Sequence, residues 1–158
     1  MMGFAAVQMA LMRGARVIAT AGDTFAGQLR ALGASVTSYG DGMVERVREI
    51  ADGAPDLILD TASPNGVLPD LIRIAGGDPS RVLTMTDFAS AAALGARHSF
   101  GEAMTRREGV LAEFAKLATE GRFVVPIART FQFEDWREAL AASLSGHAHG
   151  KLVLLPGA

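Results

Sequence analysis

Apolar residues along this chain recur at helical spacing, then bunch into short runs, and the two patterns alternate. Residues 3–13 (Gly-Phe-Ala-Ala-Val-Gln-Met-Ala-Leu-Met-Arg) read as a small-residue helix, and Ala15–Ala21 as a buried strand. Phe25, Leu29 and Leu32 mark a helix opened by Asp23-Thr24 and stopped by Gly33, followed by a short strand over Val36–Tyr39. Met43, Val44, Val47 and Ile50 form the apolar face of the next helix, which ends at Gly53. Asp56–Asp60 lacks alternation and reads as a buried parallel strand. Pro69–Ala75 reads as a helix and Arg81–Thr86 as a further strand. Helix and strand alternating at this spacing predict right-handed crossovers and a parallel sheet covered on both faces.

The pattern changes near residue 105. Thr105-Arg-Arg-Glu108 has capping-box spacing, and Val110, Leu111, Phe114, Leu117 and Ala118 share one face of a helix ended by Gly121. Phe123–Ile127 reads as a short strand which Pro126 confines to an edge. Phe133, Trp136, Leu140 and Leu144 predict a last helix stopping at Gly146, and Lys151–Leu155 a closing strand. The boundary gives two regions, 1–104 and 105–158, with no internal repeat, linker or low-complexity segment.

Composition narrows the class. A chain of 158 residues with 49% hydrophobic and 20% charged residues can build one sizeable core. The formal net charge of −2, without a polybasic run, argues against nucleic acid and membrane surfaces as partners. Absence of cysteine removes disulfides, thiolate zinc sites and a cysteine nucleophile together. No apolar run is long enough for a membrane span, and no basic segment precedes the first apolar stretch as in a signal peptide. A cytoplasmic location is the expectation.

Candidate chemistry gathers where strands end. A helix opening on Gly3 lets a pyrophosphate approach backbone N–H groups at its positive dipole end, although such a glycine alone more often serves packing. Met1 and Met2 stand where the rest of a glycine-rich fingerprint would lie, so Gly3 reads as the second half of a β-α-β unit whose first strand is missing. The strand-end position that reads the ribose carries Thr20-Ala21-Gly22, with no acid to repel a 2′-phosphate, and Asp23 falls too late for that role. Asp60-Thr61 and Thr86-Asp87 close adjacent strands. They either line a ligand crevice or cap loops and helices, and capping is favoured for the two aspartates. His147 and His149 could share a metal from a strand, but with no third ligand beside them a solvated turn is the better reading, and His98 stands alone.

Taken together, Gly3-Phe-Ala-Ala-Val-Gln-Met-Ala, Gly14-Ala-Arg-Val-Ile-Ala-Thr, Leu32-Gly-Ala, Asp56-Leu-Ile-Leu-Asp60-Thr and Gly146-His-Ala-His-Gly-Lys-Leu-Val-Leu resemble the medium-chain dehydrogenases/reductases. The nearest branch is the zinc-independent, quinone-oxidoreductase-like group that uses NADP. The resemblance runs over the whole chain but only over the C-terminal half of such enzymes. It implies a Rossmann-like doubly wound parallel sheet lacking its first, central strand, plus a C-terminal α+β segment that in the family completes the catalytic domain. It implies cofactor contacts at Gly3, Thr20, Gly22, Tyr39, Thr61 and Thr86, with Tyr39 near the adenosine 2′-phosphate and the two threonines beside the nicotinamide. A basic residue that often follows the ribose-reading strand is absent, so NADPH is expected to be preferred over NADH only modestly.

The implied activity is hydride transfer between NAD(P)H and a small quinone, enone or other carbonyl compound, with no zinc and no nameable catalytic side chain. A chain matching half of such an enzyme is expected to lack turnover alone. Its expected partner is a second copy of itself or a separate N-terminal half. The alternative is a non-catalytic fragment that binds a nucleotide or a partner. A methyltransferase-like nucleotide binder is a weaker third reading, which the tail Gly146–Leu155 speaks against.

Overall fold

In the computed structural model, which describes residues 1–100, 108–146 and 148–157, the small residues of Met2–Leu11 form α1 and bury Phe4 and Gln8. The helix stops short of the predicted Arg13. Gly14, at φ +78°, turns the chain so that its N–H donates to Leu11 O and that of Ala15 to Ala10 O. Then β1 (Ile18–Thr20), α2 (Asp23–Ala31) and β2 (Ser35–Thr37) make a parallel crossover, with Ile18 opposite Ser35 and Thr20 opposite Thr37. Amphipathic α3 (Met43–Ala51) leads into β3 (Ile58–Asp60), α4 (Leu68–Ile74) and β4 (Val82–Thr84), the last entered through a single 3-10 turn at Pro79–Arg81. Two further elements, α5 (Phe88–Leu94) and β5 (Arg97–His98), follow at positions the hydrophobic pattern leaves blank. The helix is mostly alanine and has no periodic stripe, so only its end signals mark it: Asp87 accepts from Ser90 N at 3.2 Å, and Gly95 closes it at φ +73°.

The strands form two parallel sheets, β1-β2 and β3-β4-β5. Those orders fit positions 3-2 and 4-5-6 of a doubly wound dinucleotide fold, and among the described residues no strand occupies position 1 between β1 and β3. The sheet is therefore split, not closed by direct pairing of β1 with β3. One core nevertheless serves both parts. Met43, Val44 and Val47 of α3 pack with Leu68, Leu71 and Ile74 of α4 and with Val82 and Ala91, while Ile18 of β1 and Ile58 of β3 abut the same cluster. The strands are shorter than their apolar runs predict, because pairing ends where the neighbouring strand does.

Residues Met2–Arg107 form one compact unit, and Glu108–Ala158 with Met1 another. The capping-box residues Thr105–Arg107 lie outside the described residues. In the second unit α6 (Val110–Thr119) buries Phe114, whose ring meets Phe123 edge-on at 4.9 Å. The strand predicted over Phe123–Ile127 is corrected: β6 spans Ile127–Gln132 and pairs in parallel with β7 (Lys151–Leu155). Pro126 has no N–H to give a ladder, so it precedes the strand, and its carbonyl accepts from Lys151 N at 2.7 Å. A bulge between Ile127 and Arg129 brings Ala128 N within 2.7 Å of where a side chain on Gly150 would begin, and only glycine fits there. Phe133 lies in a 3-10 turn (Phe133–Asp135) ahead of α7 (Trp136–Leu144), not on the helix itself. No helix among the described residues is long and apolar enough to cross a membrane.

Two termini generate stability predictions. Asp52, at φ 54°, ends α3 in the left-handed region and sets a negative charge at the negative end of the helix dipole. Asparagine tolerates that backbone equally and removes the charge. Asp52→Asn should therefore raise stability by about 0.5 kcal/mol, seen as a higher urea midpoint at unchanged slope.

Asp78 caps the 3-10 turn, accepting from the Ser80 hydroxyl at 2.6 Å and the Ser80 amide at 2.9 Å. Those bonds, with the Arg81 guanidinium 3.4 Å away, hold its carboxyl below the usual range. A depressed folded value means the stabilisation is present at neutral pH and is lost as pH falls through that value. The gap in urea midpoint between the native chain and Asp78→Ala should accordingly persist at neutral pH and narrow only as pH falls below the ordinary carboxylate range.

Candidate functional site

The six positions singled out in the sequence divide between a helix start and the carboxyl ends of parallel strands. Thr20 ends β1 and Gly22 follows it as the N-cap of α2. Tyr39 lies two residues past β2, Thr61 directly after β3, and Thr86 two residues past β4. Gly3 sits in the first turn of α1, where N–H groups lack intrahelical partners.

Around β3 and β4 a buried hydrogen-bond network fixes the loops. The Asp60 carboxylate, 7% exposed, accepts from the fully buried Thr84 hydroxyl at 2.7 Å and from Ala62 N at 3.1 Å. The Thr84 oxygen in turn accepts from the amides of Thr86 (3.2 Å) and Asp87 (3.1 Å). The Thr86 hydroxyl donates to the Ala62 carbonyl, so the two strand-end loops are tied to each other. Asp60 and Asp87 thus hold loops and cap α5, as their capping reading expects. Nothing in the sequence pattern marks Thr84, since its importance comes from standing opposite Asp60 in the β3-β4 register. A single strand's pattern does not reveal that pairing.

The start of α1 links this group to the β1-β2 side. A Cβ on Gly3 would lie 2.8 Å from Thr61 Oγ1, so backbone and hydroxyl approach as closely as only glycine allows. The next residue, Phe4, sets its ring 5.6 Å from that of Phe25 in the first turn of α2. On that side Tyr39 leans over Gly22, its hydroxyl 3.3 Å from where a Gly22 side chain would begin, while its ring remains 65% exposed. Gly3, Thr61 and Thr86 form one group, Gly22 and Tyr39 another, and Thr20 lies exposed two residues before Gly22. The first turn of α1 carries Gly3 of the first group and, through Phe4, meets Phe25 of α2, the helix that Gly22 caps. Free amides at a helix start beside small and hydroxylated side chains make a setting for an anion that must come close to backbone. At both Gly3 and Gly22 the place of a Cβ is taken up by a hydroxyl-bearing side chain of the protein itself, Thr61 and Tyr39.

The histidines stand apart from this cluster. His98 meets Phe88 at a tilt, ring centroids 5.8 Å apart, His149 is exposed, and His147 lies outside the described residues. No group of three or more His, Cys, Asp or Glu side chains converges among the described residues.

Residues 32–154 match the family model of zinc-binding dehydrogenases, and the chain belongs to this family of medium-chain dehydrogenases/reductases. It is similar to a probable oxidoreductase from Mycobacterium abscessus, with 26% identity and a TM-score of 0.67, over 98% of this chain and 50% of that one. An NAD-dependent alcohol dehydrogenase matches with 22% identity and a TM-score of 0.74, over 98% and 48% of the two chains. A quinone oxidoreductase of Pseudomonas syringae pv. Tomato matches at 19% and 0.67, over 98% and 53%. The chain thus spans about half the length of the solved structures it matches. No curated protein matches the sequence. The family model takes its name from zinc, but the described residues of this chain supply no ligand set for it.

The contact at Gly3 can be tested directly. Gly3→Ala should destabilise the chain by about 1 kcal/mol, because Thr61 is stiff at its branched carbon and must shift. Placing the same change in a Thr61→Ala background should remove most of that cost. A double-mutant cycle on urea midpoints measures the coupling, and additive effects would show that the two residues do not touch.

Proposed function

We propose that this chain is the nucleotide-binding part of an NADPH-dependent oxidoreductase of the zinc-independent, quinone-oxidoreductase-like kind. The observation that carries the reading is the α1 start set against Thr61, directly after β3, with the other positions at the carboxyl ends of β1, β2 and β4, since ligands of open parallel sheets bind at those ends. The cofactor, when bound, supplies the hydride that reduces a quinone, enone or other carbonyl substrate. The chain's own task is to hold and orient it.

Gly3 lets the pyrophosphate reach the first-turn amides of α1. Thr20, Gly22 and Tyr39 face the adenosine ribose, and Thr61 and Thr86 flank the nicotinamide. The Thr86 amide is held by Thr84 and its hydroxyl by the Ala62 carbonyl, and Thr61 lies in the loop that the Asp60-Ala62 bond fixes, so the cofactor meets a wall already in place. With Ala21 where an acid would repel it, a 2′-phosphate is accepted. Substrate contacts belong to the rest of the enzyme. A purely nucleotide- or partner-binding role would use the same crevice without transfer.

Titrating both cofactors, by calorimetry or by the rise in nicotinamide fluorescence, should give NADPH the tighter binding by roughly tenfold, or about 1.4 kcal/mol. Tighter NADH binding would overturn the cofactor assignment. Failure of either to bind would overturn the site.

A further inference from the structure

Resting on the NADPH reading above, we infer that Arg46 determines specificity for the phosphorylated ribose, by strapping the loop that carries Tyr39 and by bringing to it a cation that the sequence pattern hides. The loop between β2 and α3 contains two glycines at positive φ, Gly40 at +82° and Gly42 at +72°, and such a segment has little shape of its own. Arg46, one turn into α3 and half-buried, supplies that shape. Its Nε donates to Thr37 Oγ1 at 3.2 Å, Nη2 to the Ser38 carbonyl at 3.0 Å, and Nη1 to the Asp41 carbonyl at 2.7 Å. These acceptors bracket Tyr39 on both sides. A Cβ on Gly42 would lie 2.8 Å from Nη1, so Gly42 is what lets the guanidinium lie flat against the loop.

The strapped loop is the one that sets the Tyr39 hydroxyl over Gly22, beside the strand end that reads the ribose. Every acceptor bonded to Arg46 is a neutral oxygen, and no carboxylate forms an ion pair with it among the described residues. Its full positive charge, with the remaining N–H donors of a five-donor group, is therefore available to a doubly charged phosphate. Arg30 and Arg48 differ. Arg30 bonds only the Val36 carbonyl, from an exposed position on α2, and Arg48 bonds the Arg73 carbonyl on α4, away from the loop. The basic residue expected after the ribose-reading strand is absent there because it comes from the following crossover.

The test compares 2′,5′-ADP with 5′-AMP, ligands that differ by the 2′-phosphate alone, titrated into the full chain by calorimetry at low and at moderate salt. The native chain should prefer 2′,5′-ADP about tenfold, the preference shrinking as salt rises. Arg46→Gln should abolish the preference while changing 5′-AMP affinity less than about twofold. Arg46→Lys, which keeps the charge but cannot bracket the loop, should retain part of it. Tyr39→Phe, which leaves the strap intact, serves as the variant that keeps the fold should Arg46→Gln melt early, and it should lower the preference without removing its salt dependence. A native preference that survives Arg46→Gln would overturn the role of Arg46 and leave the NADPH reading standing. Equal losses for both ligands would also overturn it, reducing Arg46 to a structural strap. No preference in the native chain would defeat the NADPH reading and this inference with it.

Discussion

The bond between the Asp60 carboxylate and the Thr84 hydroxyl is the constraint on which the rest of the crevice hangs. A carboxylate at 7% exposure is tolerable only if its lone pairs are met, and here Thr84 and the amide of Ala62 meet them. Because Thr84 spends its proton on Asp60, its oxygen is left to accept, and it takes the amides of Thr86 and Asp87. One buried pair thereby fixes both loops that leave β3 and β4. The position of Thr61, and so the close approach of Gly3, is set by the same loop. Removing either member would leave one buried polar site of the other, Asp60 Oδ2 or the Thr84 hydroxyl proton, without its partner, a cost of about 1–3 kcal/mol felt first at the crevice.

The β1-β2 side is built on a different principle. Among the described residues no buried polar pair ties its strand ends, and its loop contains two glycines whose backbone is intrinsically loose. Order comes from outside the sheet, from a guanidinium on α3 that reaches back over the loop. The same helix sends Met43, Val44 and Val47 into the core. Its first turn therefore serves packing on one face and the loop on another. An arginine suits this better than a lysine, since a planar fork can meet several carbonyls at once.

Much of this was legible in the sequence. Alternating helix and strand signals gave the parallel architecture, because buried strands and amphipathic helices leave periodicities that need no partner to be read. All six candidate site positions fall at a helix start or at or just past a strand end, and for the five that are glycine or threonine the reason is that such residues at these boundaries are local signals. What escaped notice was pairwise. Thr84 matters only through its register with Asp60, and Arg46 only through a side chain that folds back on a loop. Alanine-rich α5 had no stripe to detect, and the displaced β6 shows Pro126 acting as a boundary where an edge position was expected. In each case the deciding contact was between residues far apart in sequence, or one that backbone donors alone determine.

The two halves of the crevice are joined by the shared core of α3 and α4 and, at the strand ends, by the first turn of α1. Phe4 meets Phe25 on one side and Gly3 meets Thr61 on the other, while no ladder connects β1 with β3. Ile18 and Ile58 share a core, but a shared core restrains strands far less specifically than backbone hydrogen bonds do. The distance between the Gly22-Tyr39 group and the Gly3-Thr61 group is therefore set by that core together with the first turn of α1. A ligand spanning both groups would contact the rigid Asp60-Thr84 side and the strapped Tyr39 side at once. Its binding should draw the two sheets into a fixed relation, so that much of the affinity depends on how well α1 already holds them there.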